Sequence, residues 1–349
     1  PRDGVIERRE NSREPNGTVR ESARHAVDVI RPKRDLDTSI DVMRQTVHKM
    51  NSFGITGAYD TWIGEHEMQV YKTLDDAGEL TFYVLGAIID EGVFEKHVGD
   101  DLERVIRDRS RYESDRISYN SMKFMVDGVF EGETGAVLEP YETTGDLGVL
   151  NHEESELFDR VQRFYDMGML LHFHTMGDRA VRVALDALEQ ARANGDPALL
   201  DNRHALSHLG LTHATDFPRF KTQNAAAAFT AYWAYPSQWT INLEIPAIGQ
   251  ERVDNLYRIR SIHEAEGVIV GASDWNYAEL DPLLSIETAV TRQDPYGPSE
   301  LVARTHEAVD LATMIDAYTI NGAWLMHRDD ETGSIEPVSY THLRAHETF

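Results

Sequence analysis

From residue 37 onward the chain alternates helical and strand patterns, and that alternation restricts it to an α/β fold with parallel strands. Strand-like segments fall at 54–60, 81–88, within 117–127, and at 168–175, 203–209, 225–232 and 267–274, with helical stretches between most of them. Thr38 or Ser39 is placed to cap a helix bearing Ile40, Met43, Val47 and Met50, with Gly54 closing it. Another helix is expected over 178–193, with Val183, Ala187, Leu188 and Ala191 on one side. Seven strands are one short of a closed eight-stranded barrel. The count therefore predicts a (β/α)8 TIM-type barrel that is incomplete, its first strand lying before Pro1. A doubly wound open sheet shares this pattern, but it usually carries a Gly-rich phosphate turn early in the chain, and none is found.

The lead-in segment, 1–36, is charged, punctuated by Gly and Pro, and weakly periodic, as expected of a loop with one helix. A chain of 349 residues accommodates one barrel of roughly 250. The net charge of −26 opposes binding to a phosphate backbone, so no nucleic-acid partner is expected. No run of about 18 uncharged apolar residues exists, so no membrane span is expected. There is no signal-peptide pattern; the compartment is unspecified, with the cytoplasm as the default, and the oligomeric state is equally open. The absence of cysteine excludes disulfides and thiolate ligands, leaving any metal to histidine, carboxylate or a modified side chain.

Four places carry chemistry. His172 and His174 share a face of one strand, with His174 nearer its C-terminal end, where barrel enzymes place their sites. A neutral imidazole there suits zinc, iron or manganese. The alternative is a pair of core histidines bonded to backbone. Asp178, just beyond, reads as a helix N-cap before it reads as a ligand. On the next strand His204, Leu206 and His208 share one face, again with a histidine at the exit, and the repetition favours a metal site. Asp274 follows the last strand and could bind metal or accept a proton from bound water; it could also simply close a turn. Lys123 lies within a strand, where burial would depress its pKa. A neutral amine can form a Schiff base or take up CO₂ as a carbamate bridging two metals. A surface-reaching lysine, or one paired with Asp127, is the alternative.

Taken together, Lys123, His174, His208 and Asp274 resemble the constellation of the amidohydrolase superfamily. The segments 123–128, 138–141, 174–180, 273–275 and 318–323, with 15–18, are similar to those of amidohydrolase family 3, which includes the N-substituted formamide deformylases. The resemblance runs from about Asp3 to Pro337. It implies a hydrolase of carbon–nitrogen bonds other than peptide bonds, acting on a small amide- or formamide-type molecule. Lys123 would be carboxylated and bridging, His174 and His208 would hold one divalent ion, and Asp274 would bind a second and serve as general base. One or two ions, zinc above others, would supply a hydroxide that attacks the carbonyl, and Asp274 would pass its proton to the leaving nitrogen. His172, His204 and Asp178 would orient the ligands from behind.

The sequence departs from the family pattern at both ends. No HxH pair stands upstream of Lys123, where His25, His48, His66 and His97 are scattered, and the small accessory β-domain is missing. Residues 37–337 are read as the barrel and 338–349 as a non-native tail, so His342 and His346 receive no role. Asn276 and Ser207 stand where the family usually has a proline and an acidic residue. The fragment is thus expected to keep one metal's ligands, to lose two imidazoles of the other, and to be weak or inert where the full-length protein is active. A Schiff-base lyase or aldolase using Lys123 is the competing enzyme reading, and a barrel remnant that binds without turnover is the third. Substrate-contacting residues are not assigned; the loops 130–138 and 232–250, with Trp233, Tyr235, Trp239 and Trp275, are the places to seek them.

Overall fold

The computed structural model describes residues 4–9, 11–20, 35–90, 101–297 and 304–335, with a few isolated positions between 21 and 34. The tail at 338–349, His25 and His97 lie outside the described residues. The lead-in segment corrects the first expectation: it forms an antiparallel hairpin of β1 (Val5–Arg8) and β2 (Pro15–Arg20). Asn11, at φ 55°, turns the chain, and Asn16 reaches across to Glu7 at 2.9 Å. Val5 and Ile6 stay exposed, so no buried face existed to leave an apolar alternation in the sequence. Most of 21–34, the remaining place for the expected lead-in helix, lies outside the described residues.

All seven expected strands are present: β3 (Gly57–Ile63), β4 (Tyr83–Ile89), β5 (Ile117–Met125), β6 (Leu170–Thr175), β7 (His204–His208), β8 (Ala225–Thr230) and β9 (Ile269–Ala272). They form one parallel sheet in sequence order, with β3 and β9 at its two edges. Helices follow the strands: α1 (Leu36–Ser52) leads in, then α2 (Glu65–Asp76), α3 (Leu102–Asp108), α4 (Glu154–Asp166), α5 (Asp178–Asn194), α6 (Phe217–Thr222) and α7 (Ile259–Glu264) fill the crossovers. After β9 come α8 (Pro282–Thr291), α9 (Leu311–Tyr318) and α10 (Ile320–Leu325). None of the helices in the described residues is long and apolar enough to cross a membrane.

Two helix caps differ from expectation. Asp35 caps α1, accepting the Thr38 N–H at 2.8 Å and the Thr38 hydroxyl, so Thr38 lies inside the helix as a donor. Gly54 does follow that helix, at φ 72°, and β3 accordingly starts three residues later than expected. At α5 the cap is Gly177, and Asp178 is the first helical residue. A side chain at 177 is impossible, because a Cβ there would meet the Ala136 carbonyl oxygen at 1.9 Å.

Register sorts the sheet into two unlike faces. Lys123 pairs with His172, Met125 with His174, His174 with Ser207, Ser207 with Ala228, and Ala228 with Val270. Cα partners on neighbouring strands point the same way, so these residues share the inner face. The intervening positions, among them Phe124, Phe173, Leu206, Ala227, Phe229 and Ile269, face the helices and belong to the main apolar core. Phe124 and Phe173 stack at 5.2 Å between ring centroids there. Inside, small residues (Ala205, Ala226, Ala228) gather with Val270 and with Leu325 of α10. Small inner side chains leave space, and a cleft of about 2410 Å³ fills the concave side.

Candidate active site

The cleft is lined by β3 at one edge of the sheet, β9 at the other, and the C-terminal ends of the strands between. Lys123, His172, His174, His208 and Asp274 all line it, brought together from four separate stretches of chain. Lys123 comes from the inner face of β5 and is only 4% exposed. Its amine donates to the Ser207 hydroxyl at 3.2 Å, and that hydroxyl donates in turn to the Phe173 carbonyl at 2.9 Å. Burial lowers the amine's pKa to about 7, against the opposing attraction of the Asp274 charge. The same burial raises the Asp274 carboxyl, against the pull of Lys123. Both groups are thus biased toward their neutral forms, the regime in which an amine is nucleophilic.

Lys123 has no partnership with Asp127. That carboxylate is buried and accepts three backbone N–H groups, from Ala136 and Met176 at 2.9 Å and from Gly177 at 2.8 Å. It therefore clamps the loop after β5 onto the loop after β6. Asp178 performs a similar task beside it, accepting the Leu138 N–H at 2.9 Å. His174 Nε2 lies 3.0 Å from the Gly128 carbonyl and 3.7 Å from Asp127, so its ring is oriented by this clamped loop. Burial drives the His174 pKa down to about 3, with the Lys123 charge adding to the effect. His172 packs edge-on against Tyr59 at 4.9 Å, and its buried Nδ1 meets no hydrogen-bond partner among the described residues.

His208 reaches the site by a route that strand alternation does not describe. The in-register partner of His174 is Ser207, so the inner residues of β7 are Ala205 and Ser207. His204, Leu206 and His208 share the opposite, helix-facing side, as Leu206 in the main core shows. His208 escapes that side because the strand ends in a left-handed turn, with φ 74° at His208 and 52° at Leu209. The turn carries its imidazole to 4.5 Å from the His174 ring and against Trp233 at 5.7 Å. Burial and the neighbouring His174 and Lys123 charges hold its pKa well below the ordinary histidine value, and its Nδ1 is buried without a partner among the described residues. His204 gets no such turn. It stays behind the sheet, accepting the Leu171 N–H at 3.1 Å and packing on Tyr165 at 5.7 Å, and it does not touch the cleft.

These donors suit a divalent cation in kind: imidazoles held neutral, a neutral amine and a carboxylate. Among the described residues no three histidine, aspartate or glutamate side chains are gathered as a ready-made metal site. The unpartnered Nδ1 of buried His208 is the group that a ligand would satisfy. Sequence reasoning missed the hydroxyl of Ser207 as Lys123's partner. Registering β7 on His174 rather than on its own histidines would have found it.

A concave, polar site at the C-terminal ends of parallel strands, backed by helices, is the arrangement of an α/β-barrel enzyme. The model of the amidohydrolase family matches residues 1–339, and the chain belongs to that family. It is 26% identical over 347 residues to the N-substituted formamide deformylase of Arthrobacter pascens, covering 96% of this chain and 61% of that protein. A putative amidohydrolase of Bacillus subtilis, YtcJ, is 24% identical over 221 residues, covering 63% of this chain and 40% of its own length. A metal-dependent hydrolase from Pyrococcus horikoshii has the same fold, with TM-score 0.75 at 19% identity over 95% of this chain and 64% of that one. The chain thus spans under two thirds of the length of these relatives.

Proposed function

We propose that the chain is the greater part of the barrel of a divalent-metal hydrolase acting on amide- or formamide-type carbon–nitrogen bonds. The observation that carries this reading is the convergence of Lys123, His174, His208 and Asp274 on one cleft at the C-terminal side of the sheet. Lys123, His174, His208 and Asp274 would hold one or two ions, with zinc the expected metal; such an ion supplies Lewis acidity and lowers the pKa of water. Lys123, its amine near pKa 7, is poised to take up CO₂ as a carbamate and so become an oxygen donor. Asp274 takes the proton of the attacking water and returns it to the leaving nitrogen, a role that suits a carboxyl raised by burial. Ser207 and the Asp127 clamp hold Lys123 and His174 in place for this. The partner is a small molecule.

The open sheet supports a second part of the proposal. An eighth strand between β9 and β3 would close the barrel, bring the remaining metal ligands and make the complete protein the efficient form. Chelation followed by zinc or manganese addition tests the hydrolase reading: hydrolysis of an N-substituted formamide should vanish and return. The neutral Lys123 amine also favours a Schiff-base lyase as a rival reading. Borohydride trapping of a carbonyl compound on Lys123, with activity indifferent to chelation, would replace the hydrolase reading with that one.

A further inference from the structure

The turn that delivers His208 to the cleft interrupts the strand ladder, and the interrupted end has to be held. Register pairs β7 with β8 as far as Ser207 opposite Ala228, and with β6 as far as His208 opposite Thr175. There His208 and Leu209 both take left-handed backbone angles, which residues with side chains adopt only when their surroundings impose them. The Leu209 N–H donates to the Thr175 carbonyl and the Leu211 N–H to the Met176 carbonyl, both at 2.9 Å. The Gly210 carbonyl accepts the Tyr257 N–H, also at 2.9 Å. These bonds join backbone to backbone, so they do not depend on residue type. A further bond does depend on it: the Thr175 hydroxyl donates to the Ser207 carbonyl at 3.1 Å.

Thr175 therefore grips the peptide group on each side of His208, the preceding one with its hydroxyl and the following one with its carbonyl. Its residue type is unexpected where it stands. Leu171 and Phe173, which precede it on the same side of β6, belong to the main apolar core, and Thr175 itself is fully buried. Valine has nearly the same shape and would suit a buried strand as well. A buried hydroxyl costs stability unless it is bonded, and this one is spent on the carbonyl that leads into the turn. The imidazole that emerges stacks on Trp233 at 5.7 Å and 23°, with His174 at 4.5 Å. Its Nδ1 has no partner among the described residues, so backbone torsion and the stack, rather than a bond at that nitrogen, set where the ring points.

We infer that Thr175 is the positioning residue of His208: by holding both flanking peptides it fixes the left-handed turn that aims the imidazole into the cleft. That the aimed imidazole binds a metal rests on the hydrolase reading; the aiming itself does not.

The test is NMR of the metal-free chain carrying labelled histidine, followed by calorimetric zinc titration of the same samples. Loss of one set of signals in His208→Gln identifies its ring, and Trp233→Leu measures the ring-current shift that stacking imposes on it. Thr175→Val removes the hydroxyl and keeps the shape. It should carry the His208 signals most of the way to their Trp233→Leu positions and weaken zinc binding about tenfold. Thr175→Ser, which keeps the hydroxyl, should retain both. The His204 signals, from behind the sheet, should stay in place; if they move as far as those of His208, Thr175 has a packing role alone and the inference fails. Thermal melting reports folding, and should Thr175→Val fail to fold, Thr175→Ala set against Thr175→Ser makes the same comparison. His208 signals that do not move in the hydroxyl-free variant, or that do not respond to Trp233→Leu, overturn the inference. Signals that move as expected in a chain that binds no zinc would sink the metal site and keep the positioning. Zinc binding indifferent to Thr175, with unmoved signals, would do the reverse.

Discussion

The two faces of the sheet are made from the same seven strands and follow opposite rules. Facing the helices are Phe124, Phe173, Leu206 and Phe229, large side chains buried in one continuous core. Facing the cleft are Lys123, His172, His174 and Ser207, with Ala205, Ala226 and Ala228 beside them. Bulk on one side excludes water and fixes the fold. Smallness on the other side keeps a space open, and a few polar groups are buried there at a loss of stability. The difference teaches that stability and chemistry are segregated residue by residue along each strand.

That segregation can be broken in graded ways. The largest effect is expected from Asp274→Asn, which in the complete, efficient form proposed above should lower hydrolysis by about 10²–10⁴-fold while leaving the denaturation midpoint nearly unchanged. A parallel collapse of stability would show that Asp274 holds the fold. Next is Phe173→Ala, on the opposite face, which should remove about 3–5 kcal/mol as read from urea unfolding. If it were tolerated with a loss below about 1 kcal/mol, the outer face would not be the tightly packed one.

Lys123→Met gives an intermediate effect with a distinctive sign. In the folded, metal-free chain burial holds the amine near pKa 7, below its ordinary 10.5. Below pH 7 both folded and unfolded states carry the proton, and the full penalty of burying the charge applies. Between about 7 and 10.5 the unfolded chain binds more protons, so this residue's contribution to stability rises with pH. Lys123→Met should therefore stabilise the protein at pH 6 and flatten the rise measured by urea midpoints from pH 6.5 to 9.5. An unchanged slope would mean that the amine is already solvated. The smallest effects compare two neighbours: Ala227→Val, facing the core, should destabilise by about 1–3 kcal/mol, whereas Ala228→Val, facing the cleft, should change stability by less than about 1 kcal/mol. Equal effects would erase the distinction between the faces.

How much of this was legible beforehand follows the same division. The strands were readable because the central ones, β6, β7 and β8, are short runs buried on both sides, and helical periodicity bounds the rest. The hairpin at the start was not, since its exposed Val5 and Ile6 bury nothing and so impose no pattern. Lys123, His174 and Asp274, which the structure brings to one cleft, stood out because their residue types are costly or reactive where they lie. His208 reaches the cleft for a reason other than the one read: alternation assigned it to the inner face together with His204, while the register assigns both to the outer one. Only backbone torsion separates them, and torsion is not written in hydrophobic period. Asp178 was read as a cap because Asp favours caps, but the neighbouring Ala136 carbonyl makes Gly177 the cap.

The turn at His208 and Leu209 couples the two sides of the sheet mechanically. Leu209 is fully buried in the helix-side core, and its N–H is held by the Thr175 carbonyl at 2.9 Å. Grip on that leucine therefore sets the torsion that aims the adjacent imidazole, much as a fulcrum sets a lever. Repacking around residue 209, on the far side of the sheet, would swing the His208 imidazole without touching the other side chains that line the cleft. Tuning such a cleft by mutation can thus begin from behind the wall.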